Sequence, residues 1–459
     1  MMLDPELLAR IQFAFTISFH IIFPAISIGL ASFLAVVEGI WLSTRNTLFI
    51  DIYKFWVKIF AVSFGLGVVS GVVMSYQFGT NWSTFSDSIS NVLGPLLGFE
   101  VLTAFFLEAS FLGIMLFGSG RVSEKMHFFA TSIVAIGTLV SAFWILSANS
   151  WMQTPQGFTI GVDGRFYPED WIDIIFNPSF PYRLAHMVTA AYLATAFLVG
   201  GVASFYLIKS KDVKHAKIML TMSIIMACTA GPAQMIIGHE HGINTMKYQP
   251  AKVAAMEANW KHERNAPLIL FGIPNKDERK VDYSLSIPNG ASWILTGKTD
   301  GKIPKLNDFP SHHIPPITIV FWSFRIMVGI GIAMIGLGII SAIQYIRKKI
   351  FTDKLILYGW ILMIPSGLIA ILAGWFVTEI GRQPWSVYNV MLTVKSISPA
   401  ISGNQVALSL LSFVIMYSFV FSCGIYYICK IVSKGISGAN NLDEYYKHSI
   451  ESSFVESIK

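Results

Sequence analysis

Residues 318–343 read TIVFWSFRIMVGIGIAMIGLGIISAI, an apolar run interrupted by one charge, Arg325. A membrane-crossing helix needs about 20 mostly apolar residues, and this run exceeds that length. Eight further segments qualify, at approximately 11–40, 56–78, 95–118, 127–148, 184–208, 218–238, 355–377 and 404–430. The whole 459-residue chain fits the pattern, with 54% hydrophobic residues, 13% charged and a mean hydropathy of +0.58. A soluble domain carries roughly 25% charged residues. A soluble enzyme, a disordered chain and a fibrous repeat are therefore excluded. The expected fold is an all-α integral membrane protein of about nine transmembrane helices. Residues 1–238 hold helices 1–6, 239–317 form one large extramembrane loop containing KDERK and several prolines, and 318–459 hold helices 7–9 and a tail.

The three cysteines, Cys228, Cys423 and Cys429, lie in apolar runs and suggest neither zinc nor a disulfide framework. Asp4 and Glu6 stand where a signal peptide would carry lysines, so no cleaved signal is expected. The formal charge of +6 is assigned to cytoplasmic connections rather than to nucleic acid. One set of short connections, with the tail, carries Arg45, Lys54, Arg121, Lys125, Lys209, Lys211, Lys214, Lys217, Arg347, Lys348, Lys349, Lys354, Lys430, Lys434, Lys447 and Lys459. The opposite set offers Arg10, Arg165, Arg183, Arg382 and Lys395. Sixteen basic residues against five put the N-terminus outside, the C-terminus in the cytoplasm and the 239–317 loop outside.

An ionisable group in hydrocarbon is costly unless paired or coordinated, so each one is a functional candidate. These are His20, Glu100, Glu108, His186, Arg325 and Glu379, with Met327 as a soft donor. Singly each has a bland reading: an interhelical hydrogen bond for a histidine, core filling for the methionine, an arginine partner for a glutamate. Their depth argues otherwise. His20 lies about nine residues into the first helix, roughly 14 Å deep, and His186, Glu100, Met327 and Glu379 also fall in the outer half. Histidine and methionine are the axial ligands of low-spin haem, and a carboxylate makes a weak ligand suited to an iron that reacts with oxygen. Arg325 suits a haem propionate. Trp375, Phe376 and Trp385 could flank macrocycles or belt the interface. Glu108 lies about 12 Å deeper than Glu100 and about 80° round the helix, where it suits a proton relay or a structural, protonated acid.

Apart from His186, these residues stand in a series of strings: QFAFTISFH (12–20), FGTNWS (78–83), GFEVLTAFFLE (98–108), LSANSWMQ (146–153), KVAAMEANW (252–260), FGIP (271–274), FRIM (324–327) and GWFVTEIGRQPW (374–385). The collinear series resembles subunit I of the cytochrome bd quinol oxidases. The resemblance implies a respiratory enzyme of the bacterial cytoplasmic (inner) membrane that oxidises quinol and reduces dioxygen to water without copper. It implies low-spin haem b on His186 and Met327 with Arg325 as its electrostatic partner. His20 and Glu379 become the proximal ligands of a high-spin haem b and of haem d, with their allocation open. Glu100 is implied at the oxygen site, Glu108 on the proton route, Trp375 between macrocycles, and Arg382 in the cofactor-binding set. Lys252 and Glu257, five apart, match the quinol-site pair of the outer loop, although alone they would read as a surface pair. Subunit II and a small single-helix accessory subunit are the implied partners, alongside lipid.

Two departures stand out. The loop is the short type, and short-loop relatives include some with haem b in place of haem d. GHEHG at 238–242 puts His239 and His241 where relatives carry acidic or small residues, either tuning the quinol site or lying inert at the interface. A secondary transporter or ion channel using the buried carboxylates is the competing class, weakened by the lack of inverted repeats. Paired histidines on one helix, as in b-type cytochromes, and a copper-binding histidine cluster are likewise missing from the sequence.

Overall fold

The structure, a computed structural model, describes residues 4–456, with side chains through 438. Among the described residues nine helices are long and apolar enough to cross a membrane. The first four spans are Pro5–Thr44, Thr47–Thr80, Ser83–Phe117 and Glu124–Gln153. The fifth is Phe180–Ile208, the sixth Val213–Tyr248, the seventh Ile317–Ile346 and the eighth Lys354–Ile380. The ninth helix, Gly403–Glu456, is kinked at Gly435. The expected nine-helix architecture is present.

Local chemistry sets the boundaries. Asp4 caps the first span by accepting from the Glu6 amide at 3.0 Å, with Pro5 as the first helical residue. Asn46, Ser123 and Asp353 cap the second, fourth and eighth spans in the same way. The apolar run of the sixth helix ends near 238, yet the helix continues through GHEHGINTMKY to Tyr248. Helices stop at backbone breakers rather than where apolarity fades. Here the breaker is Pro250, which keeps Gln249 out of the helical region. The segment between the sixth and seventh long helices is therefore 249–316. It holds a short helix, Pro250–Met256, an antiparallel hairpin of Leu268–Asn275 and Lys280–Ile287, and a second short helix, Gly290–Thr296.

The third span contains a π-turn at Val101–Phe105, where the Phe106 amide bonds the Val101 carbonyl. A π-turn takes up one extra residue, withdrawing roughly 100° of rotation. The 80° expected between Glu100 and Glu108 on a regular helix therefore shrinks to about −20°, and both carboxylates come to one face of the span.

The first and fifth spans form the centre of the bundle, with 67% and 72% of their most apolar stretches buried, against 17% for the third, seventh and ninth. Those outer spans present Leu102, Phe106, Ile332, Ile339, Leu411 and Phe419 outward. Such exposed apolar faces belong against lipid or another membrane subunit.

The basic connections gather at one end. Arg45 reaches Glu124 at 2.5 Å, His215 reaches Asp51 at 3.4 Å, and Lys217 lies over the Phe351 ring. Lys211 donates to the Ser433 carbonyl, and Asp212 accepts from the Ile436 amide at 2.7 Å. Gly435 between them has φ of +78°, and a Cβ there would lie 2.3 Å from the Lys211 side chain. The side chain of Lys447 and all of Lys459 lie outside the described residues. At the other end, Asn244 donates to the Pro178 carbonyl, the Tyr388 amide to Met152, and the Ser398 amide to Asn81.

Candidate functional site

His20 faces the second span. Its Nδ1 lies 3.1 Å from the Ser70 hydroxyl, which donates to the Gly67 and Leu66 carbonyls. A hydroxyl has one proton; with that proton on a backbone carbonyl, Ser70 accepts from Nδ1–H and Nε2 of His20 keeps its lone pair. His186, on the fifth span, faces Gln234, Gly238 and His241, which recur on one face of the sixth. Its Nε2 is 3.2 Å from the Gln234 amide nitrogen, its ring is 5.5 Å from that of His241, and its Nδ1 is buried without a partner. His241 thus belongs to the interior beside His186, while His239 on the same turn is exposed.

A glycine from a neighbouring span faces three of the candidate ligands. A Cβ on Gly71 would lie 3.1 Å from His20 Cε1, one on Gly238 3.2 Å from His186 Cε1, and one on Gly374 2.9 Å from Met327 Sδ. At these points each donor packs directly on the neighbouring backbone, with no side chain in between.

Glu379 is the hub of a polar network. It accepts from Asn149 at 2.9 Å, from Gln153 at 3.2 Å and from Arg382 at 2.6 Å. Lys252, only 2% exposed, donates to Gln153 Oε1 at 2.8 Å and to the Thr378 carbonyl at 2.9 Å. Gln249 also donates to Gln153. Burial, reinforced by the nearby positive charge of Arg183, holds the Lys252 ammonium well below its ordinary range.

Glu257 points elsewhere. The sequence spacing set it beside Lys252, but it caps the Pro250–Met256 helix and meets Arg325 at 3.4 Å. Both residues are buried, which removes the surface-pair reading. Burial pushes the Glu257 carboxyl above the usual carboxylate range, and Arg325 offsets only part of the shift. Arg325 also donates to the Met256 carbonyl at 2.5 Å and the Ile269 carbonyl at 2.7 Å, and its guanidinium sits 3.5 Å from the Phe321 ring centroid. It ties the loop to the seventh span.

Glu100 accepts from Ser141 at 2.7 Å. Glu108, 6% exposed, lies against Gly137 one turn away on the same fourth-span face, and its Oε1 is buried without a partner. Trp375 packs among the first, fourth, fifth and eighth spans with Ile21, Leu146 and Phe180.

Several residues escaped the sequence reading. Asn149 and Gln153 stand four apart in LSANSWMQ, a spacing that puts both on one helical face. Arg183, counted among the outer connections, lies within the fifth span and is 6% exposed. Glu38, fully buried, meets His127 Nδ1 at 2.6 Å, and Tyr53 beside them bonds Thr131 at 2.9 Å. Glu38 and His127 sit at the ends of apolar runs, where charges look ordinary.

The sequence profile of cytochrome bd terminal oxidase subunit I matches residues 8–436. Cytochrome bd ubiquinol oxidase subunit 1 of Bacillus subtilis (strain 168) is 35% identical over 446 residues, covering 95% of this chain and 95% of its own. Cytochrome bd-II ubiquinol oxidase subunit 1 of Escherichia coli (strain K12) is 30% identical, covering 94% of this chain and 96% of its own. The solved structure of bd oxidase from Geobacillus thermodenitrificans matches with a TM-score of 0.87 at 29% identity, covering 94% of this chain and 99% of that one. These relationships leave the transporter or channel reading without support. A nine-span bundle with buried histidines, methionine and carboxylates thus has its place: the chain belongs to the cytochrome bd terminal oxidase subunit I family and is a multi-pass membrane component of a quinol:oxygen oxidoreductase.

Proposed function

We propose that this chain carries the haems and the quinol site of the oxidase, working in the bacterial inner membrane with a second subunit and a small accessory helix. In this reading His186 and Met327 ligate a low-spin haem b. His20 and Glu379 ligate a high-spin haem b and the haem of the oxygen site, haem d or a further haem b. Two observations support the fit. Each histidine and methionine donor packs directly on the bare backbone of a neighbouring span, and the Ser70 contact at Nδ1 leaves Nε2 of His20 free of protein partners. Haem supplies one-electron carriers and, at an iron with an open position, a place for dioxygen to bind.

The chain's own residues manage the protons. Oxidising a quinol releases two electrons and two protons, so two quinols serve one dioxygen, which takes four of each to form two waters. Glu257, with its raised carboxyl, is the base for the quinol hydroxyl, and Arg325 holds it in place. Lys252, joined to Gln153 and through it to Glu379, links the quinol loop to the eighth span. Glu108 and Glu100, brought to one face by the π-turn, pass protons toward the oxygen site along Gly137 and Ser141. Trp375 sits among the spans that hold the ligands and assists electron transfer. Protons leaving outside and entering from the cytoplasm make turnover electrogenic without a pump.

The observation that carries the quinol assignment is the burial of Glu257 against Arg325 at the junction of loop and seventh span. Glu257→Ala in the purified complex should lower quinol-driven oxygen uptake by about 100-fold or more, while uptake driven by an artificial reductant persists. Equal loss of both activities would contradict the assignment.

A further inference from the structure

Around Glu379 the positive charges outnumber the negative. Arg382 pairs with it at 2.6 Å, and Arg183 and Lys252 lie within electrostatic range of both. That sets three cations against one carboxylate. Lys252 can relieve the excess by giving up a proton, but the two guanidiniums cannot. At least one positive charge is left over in an interior where net charge is costly.

The hydrogen-bond inventory points the same way. Arg183 Nε and Arg382 Nε and Nη1 are buried donors without partners. Arg183 is 6% exposed and Arg382 8%. Buried charged donors left unmade are the most expensive kind of unsatisfied group. Arg325 differs: its Nε bonds the Ile269 carbonyl, its Nη1 the Met256 and Phe321 carbonyls, and its Nη2 Glu257. Every nitrogen of Arg325 is engaged by the protein, and its charge is matched by Glu257.

The sequence positions add a third element. Arg183 stands three residues before His186 on the fifth span, and Arg382 three residues after Glu379 at the end of the eighth. Each arginine is one turn from a proposed haem ligand, and the two share one electrostatic cluster.

We propose that Arg183, together with Arg382, seats the propionate carboxylates of a haem, and that Arg325 does not. The inference rests on the haem-binding reading above. A guanidinium offers a planar fork that matches a carboxylate, and two carboxylates would both use the free donors and cancel the charge excess. A lipid phosphate shares this chemistry, and the experiment separates the two.

The test uses the two-subunit complex carrying Arg183→Gln or Arg183→Lys, with haem content fixed by pyridine haemochrome analysis. Two quantities are read: the midpoint potential of each haem, and the carboxylate bands of the redox-induced infrared difference spectrum. Loss of a positive charge beside a haem favours its oxidised form. Arg183→Gln should therefore retain haem, lower at least one midpoint potential and displace a propionate band, and Arg183→Lys should recover most of the potential while still moving the band. Unchanged potentials and bands at full haem content would overturn the proposal, as would a displaced phosphate band with unmoved carboxylate bands. If Arg183→Gln fails to assemble, the band in Arg183→Lys decides: displaced supports the proposal, unmoved overturns it. A wild-type complex free of haem would instead overturn the haem-binding reading and the proposal with it.

Discussion

At the scale of single residues, burial and charge compete at Glu257, and burial wins. Its carboxyl is pushed up even though Arg325 stabilises the ionised form. Three carbonyls and the Phe321 ring also claim that guanidinium, which dilutes its hold on one carboxylate. A base works only when deprotonated, so quinol oxidation should fail as pH drops through the raised Glu257 value. Arg325→Gln removes the stabilising charge, raises that value further and should move the acid limb of the kcat/KM profile to higher pH. Arg325→Lys, which keeps the charge, should move it less. An acid limb that stays in place in both variants would remove Glu257 from the role of base. The glutamine variant also breaks a buried pair at about 3–5 kcal/mol, so the profile is to be measured on assembled complex. The identities of these residues were legible in the sequence, but their partners were not. Lys252 and Glu257 sit five apart in the chain, yet one reaches Gln153 and Thr378 while the other reaches Arg325. Side-chain direction on a short helix with a capping residue decides this, and composition carries no trace of it.

At the scale of elements, apolar run length recovered all nine spans because a bilayer imposes one thickness on every crossing. It misjudged features set by the backbone. The sixth helix runs on to Tyr248, just short of Gln249 and Pro250, and the π-turn at Val101–Phe105 brings Glu100 and Glu108 to one face. A π-turn leaves no pattern in apolarity, and its effect is a change of angle rather than of composition. Glycines at span crossings were also silent in the sequence, since a helix interior tolerates glycine for several reasons. Gly374 gains meaning only from Met327 Sδ lying 2.9 Å from where its Cβ would be. An alanine there crowds the sulfur at a cost of about 1–3 kcal/mol or displaces it. Gly374→Ala should therefore weaken or shift the low-spin haem spectrum. Gly336→Ala, on the helix of Met327 but facing open space, should leave the spectrum intact. Equal spectra for the two variants would disconnect Gly374 from the ligand.

At the scale of the whole molecule, the bundle has two unlike ends. The basic connections meet through Arg45 with Glu124, His215 with Asp51, and Lys211 and Asp212 with the kink at Gly435. The other end carries the 249–316 segment, the Glu379 network and the approaches to His186. This polarity was legible from the count of basic residues in short connections, because that count reports on topology directly. Arg183 was read as part of a connection because it falls where an apolar run begins, and only packing against the eighth span reveals it as interior. The account's central claim is that this polarised bundle is a haem scaffold with His186 as a low-spin ligand. The most direct test is a dithionite-reduced minus air-oxidised spectrum of the purified complex, compared with that of His186→Ala. The account predicts b-type haem bands in the wild type and selective loss of the low-spin component in the variant, with the other haem signals retained. An unchanged low-spin spectrum in His186→Ala, or no haem in an assembled wild-type complex, would contradict it.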